Sequence, residues 1–204
     1  MALGRLGEVL ASDYKGPRAG FTEAHVLKAI LTIGKLGSVG RGKLGSLLDL
    51  GQGEVRTLIK RLKDTGLISI EAEGCVLTDD GRREHVRILK VLPWSSEVDG
   101  TSLDFGRQYW ALVVRARPGR VRNGIEQRDA AVKSGANGAL TVRYVSGRFR
   151  VYSDNADCEP GGPSEPWTTI RSASPQEGDT VIVSAADGVL LAEYGALSAA
   201  LTLL

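Results

Sequence analysis

Hydrophobic positions between residues 51 and 77 follow first a helical and then a strand spacing. Four apolar residues recur at the 3.6-residue period of a helix: Val55, Leu58, Ile59 and Leu62. Two short β-prone runs follow, Leu67–Ile70 and Cys75–Leu77, and the residues Glu71–Gly74 between them offer a turn. The pattern therefore predicts a helix that leads directly into a β-hairpin.

Residues that end and begin helices flank this hairpin. Gly66 stands where a helix would end in the left-handed conformation. Thr78 is followed by Asp79 and Asp80, which is typical of an N-cap with acids in the first helical turn. A further helix is therefore predicted from this point through about Leu92.

Two helices are predicted upstream. Phe21 and Thr22 are placed as a hydrophobic staple and an N-cap. The apolar face of the helix that follows consists of Val26, Leu27, Ile30, Leu31 and Ile33. The glycine-rich stretch 34–40 is expected to end that helix, a short helix covers 41–50, and 51–53 form a turn. The predicted order is helix, helix, turn, helix, hairpin, helix.

The third predicted helix is basic on the side opposite its apolar stripe. That side carries Gln52, Arg56, Lys60 and Lys63, with Arg61 near its edge. Residues 41–63 contain six Lys and Arg against two Asp and Glu, which concentrates positive potential there. The whole chain has a net charge of +2, but residues 1–92 carry +4 and residues 93–204 carry −2.

This order of elements resembles the winged helix-turn-helix of prokaryotic transcription regulators, as does the LT-x-x-GR segment that closes the wing, Leu77-Thr78-Asp79-Asp80-Gly81-Arg82. The resemblance covers residues 21–92 and implies a homodimer that binds double-stranded DNA. It implies DNA contacts from Gln52, Glu54, Arg56, Thr57, Lys60 and Arg61, to which the basic stretch adds Arg41, Lys43 and Lys63. It also implies wing contacts near residues 71–74, but this wing tip carries Glu71 and Glu73 and no basic residue.

After Leu92 the pattern changes. Residues 93–106 contain Pro, Ser, Gly and Asp and are predicted to be a linker. The elements expected beyond it are a strand over 109–116, a helix over 124–134, a hairpin over 139–152, a strand over 180–184 and a helix over 188–203. The predicted fold class is α+β, with an N-terminal extension (1–20), a winged helix-turn-helix domain (21–92), a linker (93–106) and a small α+β sandwich domain (107–204).

Two segments of the second half resemble the C-terminal domain of an archaeal family of uncharacterised proteins that pair it with a winged helix. They are Asn123–Ala131 and Glu193–Leu201. With the N-terminal half, the resemblance extends over nearly the whole chain. It implies an archaeal protein and a fold, but no activity for the second domain.

A candidate ligand site lies in the segment 115–129, which has five arginines and leads from a strand into a helix. Arginines and the unpaired N–H groups of a helix N-terminus can bind one anion, so a small anionic metabolite is the candidate ligand. The candidate residues are Arg117, Arg122, Asn123, Glu126 and Asp129. In the alternative interpretation Asn123 and Glu126 cap the helix. Asp129, which falls on the apolar stripe between Ile125 and Val132 in either interpretation, then forms a structural ion pair.

The last predicted helix is apolar on more than one side. Its main stripe is Leu190, Tyr194, Leu197, Leu201 and Leu204. One interpretation is a core helix that lies on the sheet. The other is a helix shared with a second copy, which suits a DNA-binding protein because a dimer contacts two half-sites.

No motif for catalysis, metal binding or membrane insertion is found. The GxSxG, P-loop, HExxH and EF-hand patterns are absent, and the two cysteines, Cys75 and Cys158, form no CxxC pair. His25 and His85 are interpreted as capping or surface residues. No run approaches the roughly 20 apolar residues of a membrane span, and the N-terminus lacks a signal-peptide core. We therefore expect a cytoplasmic protein with no catalytic residue, cofactor or metal.

The sequence favours a DNA-binding transcription regulator whose second domain dimerises, senses a small ligand, or does both. One alternative is an interaction or assembly module whose winged helix binds protein, which the acidic wing would allow. Another is a metabolite-binding protein or enzyme with an attached regulatory domain.

Overall fold

The computed structural model describes residues 5–11, 20–115 and 120–204. Within these residues the chain is a mixed α+β protein with eight helices and two antiparallel sheets. It divides into two compact units, Met1–Ile88 and Leu89–Leu204, called here the N-terminal and C-terminal units. No helix in the described ranges is both long enough and apolar enough to cross a membrane.

The first part of the chain alternates helices with a small sheet. Its elements are α1 (Arg5–Ala11), α2 (Glu23–Leu36), β1 (Ser38–Val39), α3 (Arg41–Leu48), α4 (Gln52–Asp64), β2 (Ile68–Glu71), β3 (Gly74–Leu77) and α5 (Asp79–Val91). The sheet has the order β1-β3-β2, and both pairings are antiparallel. β2 and β3 form the predicted hairpin, in which Glu71 lies opposite Gly74.

The predicted helix ends of this unit are confirmed at three places. Thr22 is the N-cap of α2, and Gly66 adopts a left-handed φ of 72° directly after α4. Thr78 caps α5, because its hydroxyl oxygen accepts a hydrogen bond of 3.1 Å from the N–H of Gly81. These local signals place the hairpin between two helices whose ends are both hydrogen-bonded.

The prediction that the glycine-rich stretch 34–40 ends α2 is confirmed, because this helix ends at Leu36 and Gly37 is its C-cap. Gly34 lies inside the helix beside the imidazole of His85. A Cβ at this position would come within 2.5 Å of the ring atom Nε2. Gly34 therefore makes room for the His85 side chain rather than ending the helix.

The C-terminal unit is built on a five-stranded antiparallel sheet. Its elements are β4 (Trp94–Val98), β5 (Gln108–Val114), α6 (Ile125–Lys133), β6 (Gly138–Val145), β7 (Arg148–Val151), α7 (Trp167–Ser172), β8 (Thr180–Ala186) and α8 (Val189–Leu201). The strand order is β4-β5-β8-β6-β7. Helices α6 and α8 pack together and cover one face of the sheet. The other face forms a core with Phe149, Trp167 and Ile170.

The predicted linker over 93–106 is wrong in its first part, because Trp94–Val98 form the edge strand β4. This strand pairs with β5 from Trp94 opposite Val113 to Val98 opposite Tyr109. An edge strand is solvated along one side, so it tolerates the polar Ser and Glu residues that suggested a linker. The following loop is held by Tyr109, whose hydroxyl accepts N–H groups from Phe105 and Gly106 at 3.2 and 3.0 Å.

The interpretation of the last helix as a core helix is confirmed. Most of α8 is buried between the sheet and α6: Ala192, Tyr194, Gly195, Ala196, Leu197, Ala199 and Ala200. These side chains are covered within one chain, whereas Leu191 on the same helix is 43% exposed.

Candidate nucleic-acid interface and ligand groove

Helix α4 separates an apolar side from a basic side. Its buried side includes all four residues of the predicted stripe, Val55, Leu58, Ile59 and Leu62. Its exposed residues include four of the candidate DNA-binding residues, spaced by four, four and three positions: Gln52, Arg56, Lys60 and Lys63. The spacing places these four side chains along one side of the helix.

The preceding helix extends this basic surface. Arg41 and Lys43 lie in the first turn of α3, and both are exposed. A groove with a volume of about 640 Å³ lies between α3 and α4, and its lining residues include Arg41, Ser46 and Gln52. The first residues of α4 therefore border an open groove.

The assignment of Arg61 as a DNA-contacting residue is wrong, because its side chain is buried. Only 7% of Arg61 is exposed. Its Nη1 donates a hydrogen bond of 3.3 Å to the carbonyl oxygen of Val9, and its guanidinium lies 5.4 Å from the ring centre of Phe21. Arg61 stabilises packing between α4 and the elements around it, since an arginine stacked on an aromatic ring contributes through both contact area and charge.

Two other candidates on α4 hydrogen-bond within their own helix. Glu54 caps α4, because its Oε2 accepts the N–H of Gly51 at 2.9 Å. The Thr57 hydroxyl donates to the carbonyl oxygen of Gly53, also at 2.9 Å. Both side chains are half-buried, so the observed role of Glu54 and Thr57 is to stabilise the first turns of the helix.

The β2–β3 hairpin has an acidic and partly apolar tip. Glu71 and Glu73 are both exposed, and Ile70 is 56% exposed. The nearest basic side chains in sequence are on α4 and α5, not on the hairpin. This surface would repel a phosphate group rather than bind it.

In the C-terminal unit, four of the five candidate ligand residues line one groove. This groove has a volume of about 830 Å³, and Arg122, Asn123, Glu126 and Asp129 are among its lining residues. The fifth candidate, Arg117, lies outside the described residues. The lining residues that were missed from the sequence include Arg120, Lys133 and Thr202. Lys133 follows Asp129 by four positions and could have been found from helical spacing, whereas Thr202 comes close only through the packing of α8 against α6.

The expectation that Asp129 lies on a buried apolar stripe is wrong. Ile125, Asp129 and Val132 do share one side of α6, but that side faces solvent, with Ile125 and Val132 47% and 49% exposed. The buried residues of α6 are Gln127 and Ala131. Asp129 pairs with the adjacent Arg128 at 2.9 Å, and both side chains are about half exposed.

The predicted caps of α6 are only partly found. Asn123 Oδ1 accepts the N–H of Ile125 at 3.1 Å, so this side chain does cap the first turn. The N-cap position itself is Gly124, which has a left-handed φ of 82°. Glu126 is exposed and lines the groove described above.

Both histidines and both cysteines have pKa values that are shifted so as to keep their side chains uncharged. Burial lowers the pKa of both His25 and His85, so their imidazoles are neutral at neutral pH. Burial raises the pKa of the Cys75 thiol and, together with Asp157 and Glu159, raises that of Cys158 to about 12. Both thiols remain protonated, and a protonated thiol is a poor nucleophile.

Comparison with known proteins identifies the second half of the chain. No curated protein matches this sequence. Among solved structures, the chain is similar to a hypothetical protein from Pyrococcus horikoshii OT3, with 25% sequence identity and a TM-score of 0.72 over 90% of this chain and 92% of that chain. The fold is therefore similar to that of an archaeal protein along nearly its whole length. Residues 105–203, within the C-terminal unit, match the family model described as a domain of unknown function (DUF4443).

Proposed function

We propose that the N-terminal unit is a winged helix-turn-helix that binds double-stranded DNA, and that the chain is a transcription regulator. The observation that carries the proposal is α4, which is buried along its apolar stripe and exposes a row of Gln52, Arg56, Lys60 and Lys63. A short turn connects α3 to α4, and the β2–β3 hairpin follows α4. A winged helix-turn-helix presents its recognition helix in this order.

The side chains on α4 suit different parts of a DNA duplex. Gln52 lies at the first position of the helix, and its amide can pair with an adenine edge in the major groove. Arg56 can contact a guanine edge or a phosphate, whereas Lys60 and Lys63 provide positive charge for phosphates. In this proposal Arg61, Glu54 and Thr57 hold the helix in place rather than contact bases.

The acidic hairpin tip limits what the wing does in this proposal. Glu71 and Glu73 oppose close approach to phosphates, so the DNA contacts come from α3 and α4. The same acidic tip favours the alternative in which the N-terminal unit binds a protein with a basic surface. The two functions differ in their dependence on salt and on the basic residues of α4.

A DNA-binding experiment tests the proposal directly. The purified chain is titrated with a fluorescent duplex from its own upstream region and with a random duplex, at several salt concentrations. We expect binding that weakens with salt, with a slope of log affinity against log salt of about −0.9 per phosphate neutralised. Arg56→Ala/Lys60→Ala is expected to weaken binding and to reduce the steepness of the slope by about 1.8, the loss of two phosphate contacts.

The matched control removes two exposed lysines from other helices. Lys35→Ala/Lys90→Ala changes the net charge by the same amount but lies on α2 and α5. Its binding should stay close to that of the wild type. No wild-type binding to either duplex at low salt would refute the DNA-binding function and favour the protein-interaction alternative.

We also propose that the groove beside α6 binds a small anionic metabolite, which would make the C-terminal unit an effector domain. The specific observation is that four predicted residues, two of them from the loop and two from the helix, line one groove with Arg120 and Lys133. Arg120 and Arg122 lie beside the start of α6, and Lys133 adds a positive charge in its last turn, so the groove provides favourable electrostatics for a carboxylate or phosphate. Glu126 and Asp129 on the same groove favour a ligand that also has a hydrogen-bond donor or a positive group.

Thermal unfolding with defined anions tests the effector proposal. Inorganic phosphate, pyrophosphate and citrate are added at millimolar concentration, and the unfolding temperature is followed. We expect at least one of them to raise the unfolding temperature of the wild type, with the rise lost in Arg122→Ala. Arg107→Ala is the control, because Arg107 is an exposed arginine of the same unit outside this groove. Equal shifts in all three proteins, or in none, would contradict the proposed site.

A further inference from the structure

Helix α6 exposes an apolar and charged stripe that nothing else in the described part of the chain covers. The stripe consists of Ile125, Asp129 and Val132, which are spaced by four and three residues and so lie on one side of the helix. Ile125 and Val132 are 47% and 49% exposed. A branched apolar side chain gains stability when it leaves water, so two of them on one short helix favour a partner.

The charges beside this stripe have a symmetric arrangement. The midpoint between Ile125 and Val132 falls between Arg128 and Asp129, which carry opposite charges. Glu126 and Lys133, also of opposite charge, lie towards the two ends of the helix. A helix with this pattern is complementary to a second copy of itself that runs in the opposite direction.

We propose that the α6 stripe is a dimer interface, in which α6 packs antiparallel against α6 of a second copy. A two-fold axis at the midpoint between Ile125 and Val132 brings each Ile125 against Val132 of the other copy. Arg128 and Asp129 lie next to this axis, so the long side chain of each Arg128 comes within reach of the other copy's Asp129. The residue opposite Glu126 is Ala131, and the oppositely charged Lys133 lies two positions further along. Such an interface is isologous, meaning that the same surface serves both partners.

Two further features agree with a second copy as the occupant. Antiparallel packing places the positive N-terminal end of each helix dipole near the negative C-terminal end of the other. Leu191 of α8, 43% exposed, enlarges the apolar surface beyond the C-terminal end of α6, because its Cδ2 would lie 3.3 Å from a Cβ built on Gly135. Apart from this leucine, α8 is mostly buried, so α6 presents most of the outer surface of this helical layer.

Charge reversal and mixing test the interface without involving DNA. Sedimentation velocity of the full chain is expected to show a dimer that dissociates on dilution. In Arg128→Glu both facing positions become acidic, and in Asp129→Arg both become basic, so each variant alone should associate at least about tenfold more weakly. An equimolar mixture of the two variants should dimerise again, because each acidic stripe then meets a basic one.

The mixture also controls for effects within one helix. In the mixture, each variant still has two like charges at positions 128 and 129 of its own helix. Recovery of the dimer can therefore come only from contacts between copies. Val132→Asp should also give a monomer, whereas Val86→Asp, at a 51% exposed valine on α5, should remain a dimer. A wild-type monomer at high micromolar concentration would overturn the proposal, and so would a dimer that the reversals leave unchanged or a mixture that stays monomeric. All these results are independent of whether the N-terminal unit binds DNA.

Discussion

His25 completes a capping box at the start of α2, a position at which Glu or Gln is usual. Its Nδ1 accepts the backbone N–H of Thr22 at 3.1 Å and lies 2.9 Å from the Thr22 hydroxyl. An imidazole accepts these hydrogen bonds only while Nδ1 carries no proton. Burial lowers the pKa of His25, Lys28 also lowers it, and the acids Glu54 and Asp49 oppose that shift.

The lowered pKa of His25 makes the stability of the fold depend on pH. Because the folded state holds a neutral His25, the unfolded state takes up a proton more readily as the pH falls. Stability is therefore complete above the ordinary histidine pKa of about 6.5 and declines as the pH falls towards the lower folded-state value. Urea unfolding at about pH 7.5 and about pH 5.5 should show a smaller free energy of unfolding at the lower pH.

His25→Gln provides the control for this effect. Glutamine supplies an acceptor oxygen at the same capping position but does not titrate. The variant should lose part of the decline with pH and keep the part contributed by His85, whose pKa burial also lowers. If the decline in His25→Gln equalled that of the wild type, His25 would not be its source.

The sequence shows which residues of α4 are basic, but not whether each of these side chains points outward or inward. Arg56 and Arg61 lie five positions apart on the same helix, yet one is exposed and the other is 7% exposed beneath Phe21. Helical spacing placed Arg61 at the edge of the basic side. Whether an edge residue turns outward or inward depends on which neighbour lies there, and here the neighbours are Val9 and Phe21.

Helices α6 and α4 differ in how well a hydrophobic pattern predicts burial. The stripe on α4 is buried as expected. On α6 the pattern of Ile125 and Val132 was correctly recognised as one side of a helix, but the small and polar side with Gln127 and Ala131 is buried instead. Gln127 is accepted in the interior because its side-chain amide donates to the Thr202 hydroxyl at 2.7 Å.

Close packing around α8 accounts for this choice. A Cβ on Gly195 would lie 2.2 Å from Ser184 Oγ and 2.6 Å from the Cβ of Ala136, the residue that follows the α6 turn. Because α8 lies this close to β8 and to the turn after α6, only small side chains fit at these contacts. The branched residues of α6 are therefore left on the outer side, where we propose that a second copy covers them.

The two units make different contributions to the proposed regulator. In this proposal α4 of the N-terminal unit contacts DNA, and α6 of the C-terminal unit joins two copies. Glu126, Asp129 and Lys133 belong to α6 and also line the ligand groove. A bound anion would therefore contact the same helix as the second copy, which provides a direct route from ligand to dimerisation.

Separating the two copies should also weaken DNA binding, an expectation that rests on both the DNA-binding and the dimer proposals. Arg128→Glu leaves α4 unchanged but should separate the copies, so that each binds one half-site independently. Its DNA affinity should fall, and its slope of log affinity against log salt should be about half that of the wild type. A mixture with Asp129→Arg should restore the wild-type slope. A single variant with the full slope would show that one copy makes all the phosphate contacts.

Local signals were enough to identify much of the fold. The α4 stripe, the left-handed Gly66 and the Thr78 cap predicted the helix–hairpin–helix order. The hairpin over 139–152 was predicted from its β-prone runs, and both Ser146 and Gly147 have the positive φ of its turn, 50° and 77°. Strand β4 was missed because its polar residues resemble those of a loop, and its pairing with β5 is not visible locally.

By itself, the sequence determined the α+β class, the order of helices and strands in the first half, the basic side of α4 and the apolar character of α8. Each of these depends on residues close together in the chain, through periodicity, capping or turn conformation. Only the tertiary structure decided that Arg61 is buried, that Glu54 caps its own helix and that the α6 stripe faces outward. These depend on which distant surfaces approach one another, because burial is a property of the packed molecule and not of a single helix.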